Sequence, residues 1–172
     1  REAHQVLGGD LLLRADRPWP DAFTDEAHAR GLQTAKTVLF TSMASTAATT
    51  ALGGVKVVED GYPLRGAVRI APGPNQPDAP ADRAPAAGEL WLDERLFAEL
   101  GVKVGDTVGL GELEFRVGAM VSFEADRGAN FFSLLPRAIF NLTDLDASGL
   151  VAEGSRATWR LHLAGTPQAV EA

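Results

Sequence analysis

The 172-residue chain has no cysteine, three histidines, one tyrosine and no long apolar run. Without cysteine there is no disulfide, no thiol nucleophile and no cysteine metal site. That absence leaves the compartment open, because exported bacterial domains also do without disulfides. His4, His28 and His162 are scattered, and no His-x-x-x-His spacing puts two rings on one face. Neither a metal nor a cofactor is expected. No apolar run comes near the roughly 18 residues that cross a bilayer, and no signal peptide is visible. A Gly-x-Ser-x-Gly elbow is missing, and Ser42, Ser133 and Ser148 read as structural. Triad members can be distant in sequence. A hydrolase therefore stays as a minor reading, with His162 as the strand histidine it would use. Basic residues are also few: 16 against 23 acidic, a net charge of −7. That argues against a nucleic-acid partner, which favours a basic face. Only three of the 16 are lysine, at 36, 56 and 103. With the abundance of Ala, Gly and Pro, this resembles a bacterial composition rich in G and C.

The apolar fraction of 45% and the charged fraction of 23% are ordinary for a globular protein. The length suits one domain or two small subdomains. The most strongly patterned stretch is residues 88–121, GELWLDERLFAELGVKVGDTVGLGELEFRVGAMV. Residues 89–92 read as a strand. Asp93 is a helix cap, since its carboxylate can accept an orphan first-turn N–H. Leu92, Leu96, Phe97 and Leu100 form one helical face, and Gly101 suits the positive φ beyond a helix end. Residues 107–110 and 113–121 read as strands joined by Gly111-Glu112, a tight hairpin loop. Leu113, Phe115, Val117, Ala119 and Val121 alternate with polar or small neighbours, which predicts one buried face.

Residues 10–15 read as a strand, and 17–20 (RPWP) as a turn. Residues 21–30 read as a short helix stopped by Gly31, and 32–43 as a long strand. Residues 44–54 are small and Thr-rich, and Gly53-Gly54 favours a loop there over a weak helix. Strands follow at 55–58 and 65–71 around a turn at 60–63. The stretch 72–88 holds five prolines and almost no large apolar side chain. It predicts a flexible surface loop without a core face. Residues 122–130 read as a polar turn, 131–135 (FFSLL) as a buried strand, and 136–142 as a short helix opened by Pro136. Residues 144–154 read as a connector and 155–164 as a clear alternating strand. Thr166-Pro167 starts a last helical pattern that stops at 172, which suggests a segment cut from a longer protein; a natural frayed end is the other reading.

Little of this carries chemistry. Glu124 and Asp126 are spaced as a carboxylate pair, but a solvated turn is the plainer reading. Asp126-Arg127-Gly128 suits an ion-paired turn, with Arg127 a candidate for meeting a partner. Trp19, Trp159, Phe131 and Phe132 suit core packing, with an apolar ligand groove as the alternative. No Gly-Lys-Ser/Thr follows Gly105, Gly109 or Gly111, so no phosphate loop is present. The exposed face of residues 113–121 leaves Glu114 and Arg116 as candidate contact residues beside the plain reading of solvated charge.

Five blocks in order carry a family resemblance: GDLLLRADRPWPDAF at 9–23, GYPLRGAVRIA at 61–71, the unit at 88–121, EADRGANFFSLLPRAIFNLTDL at 124–145 and GLVAEGSRATWRLHLAG at 149–165. Together they resemble the MacB/FtsX-like periplasmic core domain of a bacterial ABC transporter permease, of the YbbP type. The resemblance implies an α+β fold: a porter-like mixed sheet with short helices plus an inserted β-rich subdomain. The porter-like part would be residues 1–71 with 125–172, the insertion 88–124, and 72–87 a flexible Pro-rich loop. It implies a non-catalytic domain, periplasmic in an inner-membrane protein, that contacts substrate or a periplasmic partner and moves with the transport cycle. Its partners would be the transmembrane part of the same permease, a cytoplasmic ABC ATPase reached indirectly, and an amphipathic or lipid-like substrate or a periplasmic protein. A soluble ligand-binding or adaptor module is the alternative.

Overall fold

The computed structural model describes residues 11–124, 131–151 and 156–165. Arg127, Asp126, His4, the side chain of Phe131 and the 166–172 helical pattern lie outside the described residues. The strands are β1 (Leu11–Ala15), β2 (Gln33–Ser45), β3 (Thr50–Val58), β4 (Val68–Ala71), β5 (Ala79–Pro80), β6 (Glu89–Asp93), β7 (Thr107–Leu110), β8 (Leu113–Glu124), β9 (Arg137–Asn141) and β10 (Thr158–Ala164). The helices are α1 (Asp21–Ala29), α2 (Glu94–Leu100), α3 (Phe131–Leu134) and α4 (Leu145–Ser148). This is the expected α+β class with a mixed sheet: β3–β9 and β6–β8 are parallel and the remaining pairs antiparallel.

The sheet runs β1-β10-β2-β3-β9-β6-β8-β4-β5, and β7 pairs both β8 and β2. The last link closes a ring, β2-β3-β9-β6-β8-β7. Its seam is short: Ala44 opposite Leu110 and Ser45 opposite Gly109. Every strand of the ring sends apolar side chains to one cluster, including Phe40, Val55, Phe140, Leu92, Phe115 and Val108. Leu96, Phe97 and Leu100 of α2 join them. The ring is closed and filled by side chains, while β1 and β5 remain the edges of the sheet. The other faces of the same strands build a second cluster around Trp91, Ile139, Val58 and Tyr62. A third lies under α1, where Ala27 and Leu32 meet Leu161 and Leu163. Strand pairing therefore crosses from residues 88–124 into β2, β4 and β9.

The 88–121 unit forms as its local signals predict. Asp93 Oδ1 accepts the Leu96 N–H at 3.0 Å, and Gly101 takes φ +67°. Only the strict alternation of β8 fails. Leu90 pairs with Val117 but Trp91 pairs with Ala119, so Gly118 is an extra residue. This bulge switches parity. Phe115 and Val117 face the ring interior, whereas Ala119 and Val121 face the Trp91 cluster.

Several expectations need correction. Residues 44–54 are neither loop nor weak helix: β2 runs on to Ser45 and β3 starts at Thr50, so most of the stretch is a hairpin. The glycines are there for space. A Cβ on Gly53 would meet Leu96, and one on Gly54 would meet Arg137 at 2.8 Å and Phe132 at 3.2 Å. Residues 131–135 are not a strand, since Phe131–Leu134 is one helical turn and Leu134 is exposed. Residues 136–142 are not a helix, since β9 is a strand buried at all five positions. Its parallel partner β3 and its antiparallel partner β6 flank it on both sides, which favours a short apolar run without alternation. Finally, 72–88 does reach the core. Ala84 is buried in the Trp91 cluster, and β5 adds an edge pairing to β4. The stretch is pinned by Arg83 to Glu89 at 2.7 Å and by Ser122 to Asp78 at 2.6 Å. The strand expected at 65–71 begins only at Val68, and β8 extends to Glu124.

Candidate functional site

The site-forming geometry begins at the open end of the sheet. β1 and β10 pair so that Leu11 lies opposite Leu163. β10 pairs with β2 so that Leu163 lies opposite Thr34 and Ala164 opposite Gln33. The first and last described strands therefore start and finish on one rung. The apolar face of β10 that makes this possible, Leu161 and Leu163, is buried beneath α1.

A second feature lies where β3, β8 and β9 meet. Glu124 is buried, with Lys56 Nζ at 2.7 Å from one carboxylate oxygen and Arg137 Nε at 2.8 Å from the other. Lys56 also donates to the Tyr62 hydroxyl at 3.0 Å. Arg137 donates to the Gly54 carbonyl and stacks over the Phe132 ring at 4.3 Å. Its backbone N–H donates to Asp93 Oδ2 at 2.8 Å, tying the cluster to the α2 cap. Burial pushes the Glu124 carboxyl up, but Lys56 and Arg137 outweigh it and hold it below the usual range. The carboxylate is thus ionised and saturated by cations, which suits a structural joint and not an acid or base. The solvated-turn reading of Glu124 is corrected: its partners come from residues 56 and 137, remote in sequence.

The sequence candidates separate. Glu114 and Arg116 are exposed on β8, opposite Gly109 and Thr107 of β7. Phe115 and Val117 point inward, so the two charges share the outer surface of the ring. Arg127 lies outside the described residues. His28 bonds Thr34 Oγ1 at 2.9 Å and His162 bonds Thr37 Oγ1 at 3.0 Å, on different elements. Among the described residues no group of three metal-ligating side chains converges. Of the aromatics, Trp19 and Trp159 are half-buried. Trp19 donates to the Trp159 carbonyl at 3.2 Å and meets Phe23 edge-on at 5.0 Å. Trp19 and Phe23, with Leu13, Arg14 and Arg17, line an open groove of about 750 Å³ beside β1. Phe132 covers Arg137 and does not line this groove. No described helix is long and apolar enough to cross a membrane.

No family model matches the chain. The fold is that of an extracellular domain of an ABC-type transporter. The chain superposes on the extracellular domain of the noncanonic ABC-type transporter YknZ from Gram-positive bacteria with a TM-score of 0.59, at 10% identity, over 92% of this chain and 85% of that one. In sequence it is 36% identical over 165 residues to the uncharacterized ABC transporter permease YbbP of Escherichia coli (strain K12), which spans 96% of this chain and 20% of that permease. The chain is a homologue of one segment of the YbbP-type ABC transporter permeases, the group its motifs resemble. It spans about one fifth of the length of the curated relative it matches.

Proposed function

We propose that the chain is a non-catalytic extracytoplasmic domain of an ABC-type export permease, periplasmic where an outer membrane is present. It contacts substrate or a periplasmic partner and moves as the transporter cycles. The observation that supports this most is the shared rung of Leu11, Leu163 and Thr34. A domain carried between two membrane segments needs both connections on one side, and a first and a last described strand that meet on one rung fit that need. The buried Glu124–Lys56–Arg137 joint supports the moving-body part of the reading, because it ties β3, β8 and β9 into one piece. We treat residues 88–124, with the porter-like remainder, as the two parts of that body. The transmembrane part of the same permease would carry the motion, and a cytoplasmic ABC ATPase would drive it from the far side.

Movement is tested in the full-length permease with its ATPase, in membranes. Spin labels are placed at Ala48, the exposed tip of the β2–β3 hairpin, and at an extracytoplasmic end of a membrane segment. The distance distribution should change between nucleotide-free and ATP-trapped states. An unchanged distribution would contradict the moving-domain reading.

A further inference from the structure

A groove of about 590 Å³ adjoins the rung of Leu11, Leu163 and Thr34. Leu32, Gln33 and Thr34 form one wall, with His28 bonded to Thr34; Gly61, Pro63 and Leu64 form the other. Gln33 and Thr34 are the residues opposite Ala164 and Leu163. The first wall is therefore the neighbour of β10, the last described strand. The second wall belongs to a turn held from several sides. The Lys36 N–H donates to Glu59 Oε1 at 2.9 Å, and the Glu59 N–H returns to the Lys36 carbonyl at 3.1 Å. Asn141 Nδ2 donates to Asp60 Oδ1 at 2.9 Å. Tyr62 is buried against Val58, Val68 and Trp91, edge-on to His162 at 5.3 Å. Anchored this way, the turn holds Pro63 and Leu64 half-exposed at the groove. A preorganised wall loses little freedom when something seats against it.

We propose that this groove seats the membrane-embedded part of the same permease, namely the extracytoplasmic ends of its spanning segments. The inference rests on the permease reading above. Its occupant follows from continuity and length. The permease relative is about five times longer than the matched segment, so most of such a polypeptide lies outside this fold. A segment tethered next to Gln33 sits at high effective concentration at this groove. The lining holds no Asp, Glu, Lys or Arg, and its one histidine, His28, is engaged with Thr34 Oγ1 at 2.9 Å; this suits the neutral, partly apolar end of a helix better than an anionic headgroup or a nucleic acid.

The test uses the full-length permease free of other cysteines, in membranes. Gln33→Cys and Leu64→Cys are each paired with cysteines scanned along the extracytoplasmic ends of the spanning segments, and Ala48→Cys is the control. Gln33 is exposed, so its variant keeps the test alive if Leu64→Cys disturbs the fold. Short-span cross-links should form from positions 33 and 64 and not from 48. The proposal is overturned if neither forms them, if all three form them equally, or if 33 and 64 cross-link to a separate protein instead. Labelling Ala48→Cys from outside the cell separates the two levels. Labelling without cross-links removes the groove assignment alone. No labelling removes the permease orientation and the groove assignment together.

Discussion

Glu124 and Lys56 meet at 2.7 Å with both side chains almost wholly out of water, although 68 positions separate them in the chain. The contact joins the end of β8 to the middle of β3, and Arg137 completes it from β9. Removing one member of such a set leaves buried charge without compensation, which costs about 3–5 kcal/mol. Glu124→Gln should lower the unfolding free energy of the isolated domain by that order, measured by urea titration. A change within about 0.5 kcal/mol, as at ordinary surface sites, would show that the cluster is not a joint.

The pH dependence has a definite sign. Burial raises the Glu124 carboxyl, but Lys56 and Arg137 take it below 4.5. Burial likewise raises Glu89, and Arg83 with the Ala86 N–H takes it lower. Asp78 is held at about 2, chiefly by the hydrogen bond from Arg69 and then that from Ser122. Each group binds its proton less readily folded than unfolded. Their stabilisation is therefore complete above the unfolded values and lost as the pH falls through the folded ones. Thermal unfolding should hold steady down to about pH 5 and decline below it. The decline should be shallower in Glu124→Gln. Equal slopes in the two proteins would contradict the role given to Glu124.

Three glycines separate crowding from freedom. A Cβ on Gly54 would press on Arg137 and Phe132. Gly111 has φ +60°, and a Cβ there would strike the Ser148 carbonyl. Gly73 has no positive φ and open space around it. Gly54→Ala and Gly111→Ala should each cost roughly 1–3 kcal/mol, as overpacking does. Gly73→Ala should be neutral or slightly stabilising, by about 0.4–1 kcal/mol at most. Calorimetry on the three variants orders them directly, and equal effects would contradict the packing described.

Glu114 and Arg116 are exposed neighbours on the outer surface of the ring. Reversing both charges should leave domain stability within about 0.5 kcal/mol. As contact residues they should also lower transport by the full-length permease. Intact transport in the doubly reversed protein would remove them as a contact surface.

What the sequence disclosed follows from how local each signal is. Asp93, Gly101 and Gly111 act within a few residues, so the strand, helix and hairpin of 88–121 were readable. Gly53 and Gly54 act on Leu96, Arg137 and Phe132, far along the chain. They therefore looked like loop residues while sitting in a strand. FFSLL and RAIFN are each too short to show a period, and their helix and strand assignments were exchanged. Glu124 had the look of a polar turn because its cations are at 56 and 137. The closing of the ring was hidden for a similar reason, since its seam is two residue pairs between β2 and β7. The family blocks were legible throughout. Of the site, the groove beside the shared rung was not, because its two walls come from residues 32–34 and 61–64 and meet only in the folded sheet.

The central claim is that this domain stands outside the cytoplasmic membrane. It is tested most directly by labelling Ala48→Cys in the full-length permease of intact cells with a membrane-impermeant thiol reagent. The chain supplies no cysteine of its own to confuse the result. Labelling in intact cells, not increased by permeabilising the cytoplasmic membrane, is the predicted result. Labelling that appears only after that membrane is breached would contradict it.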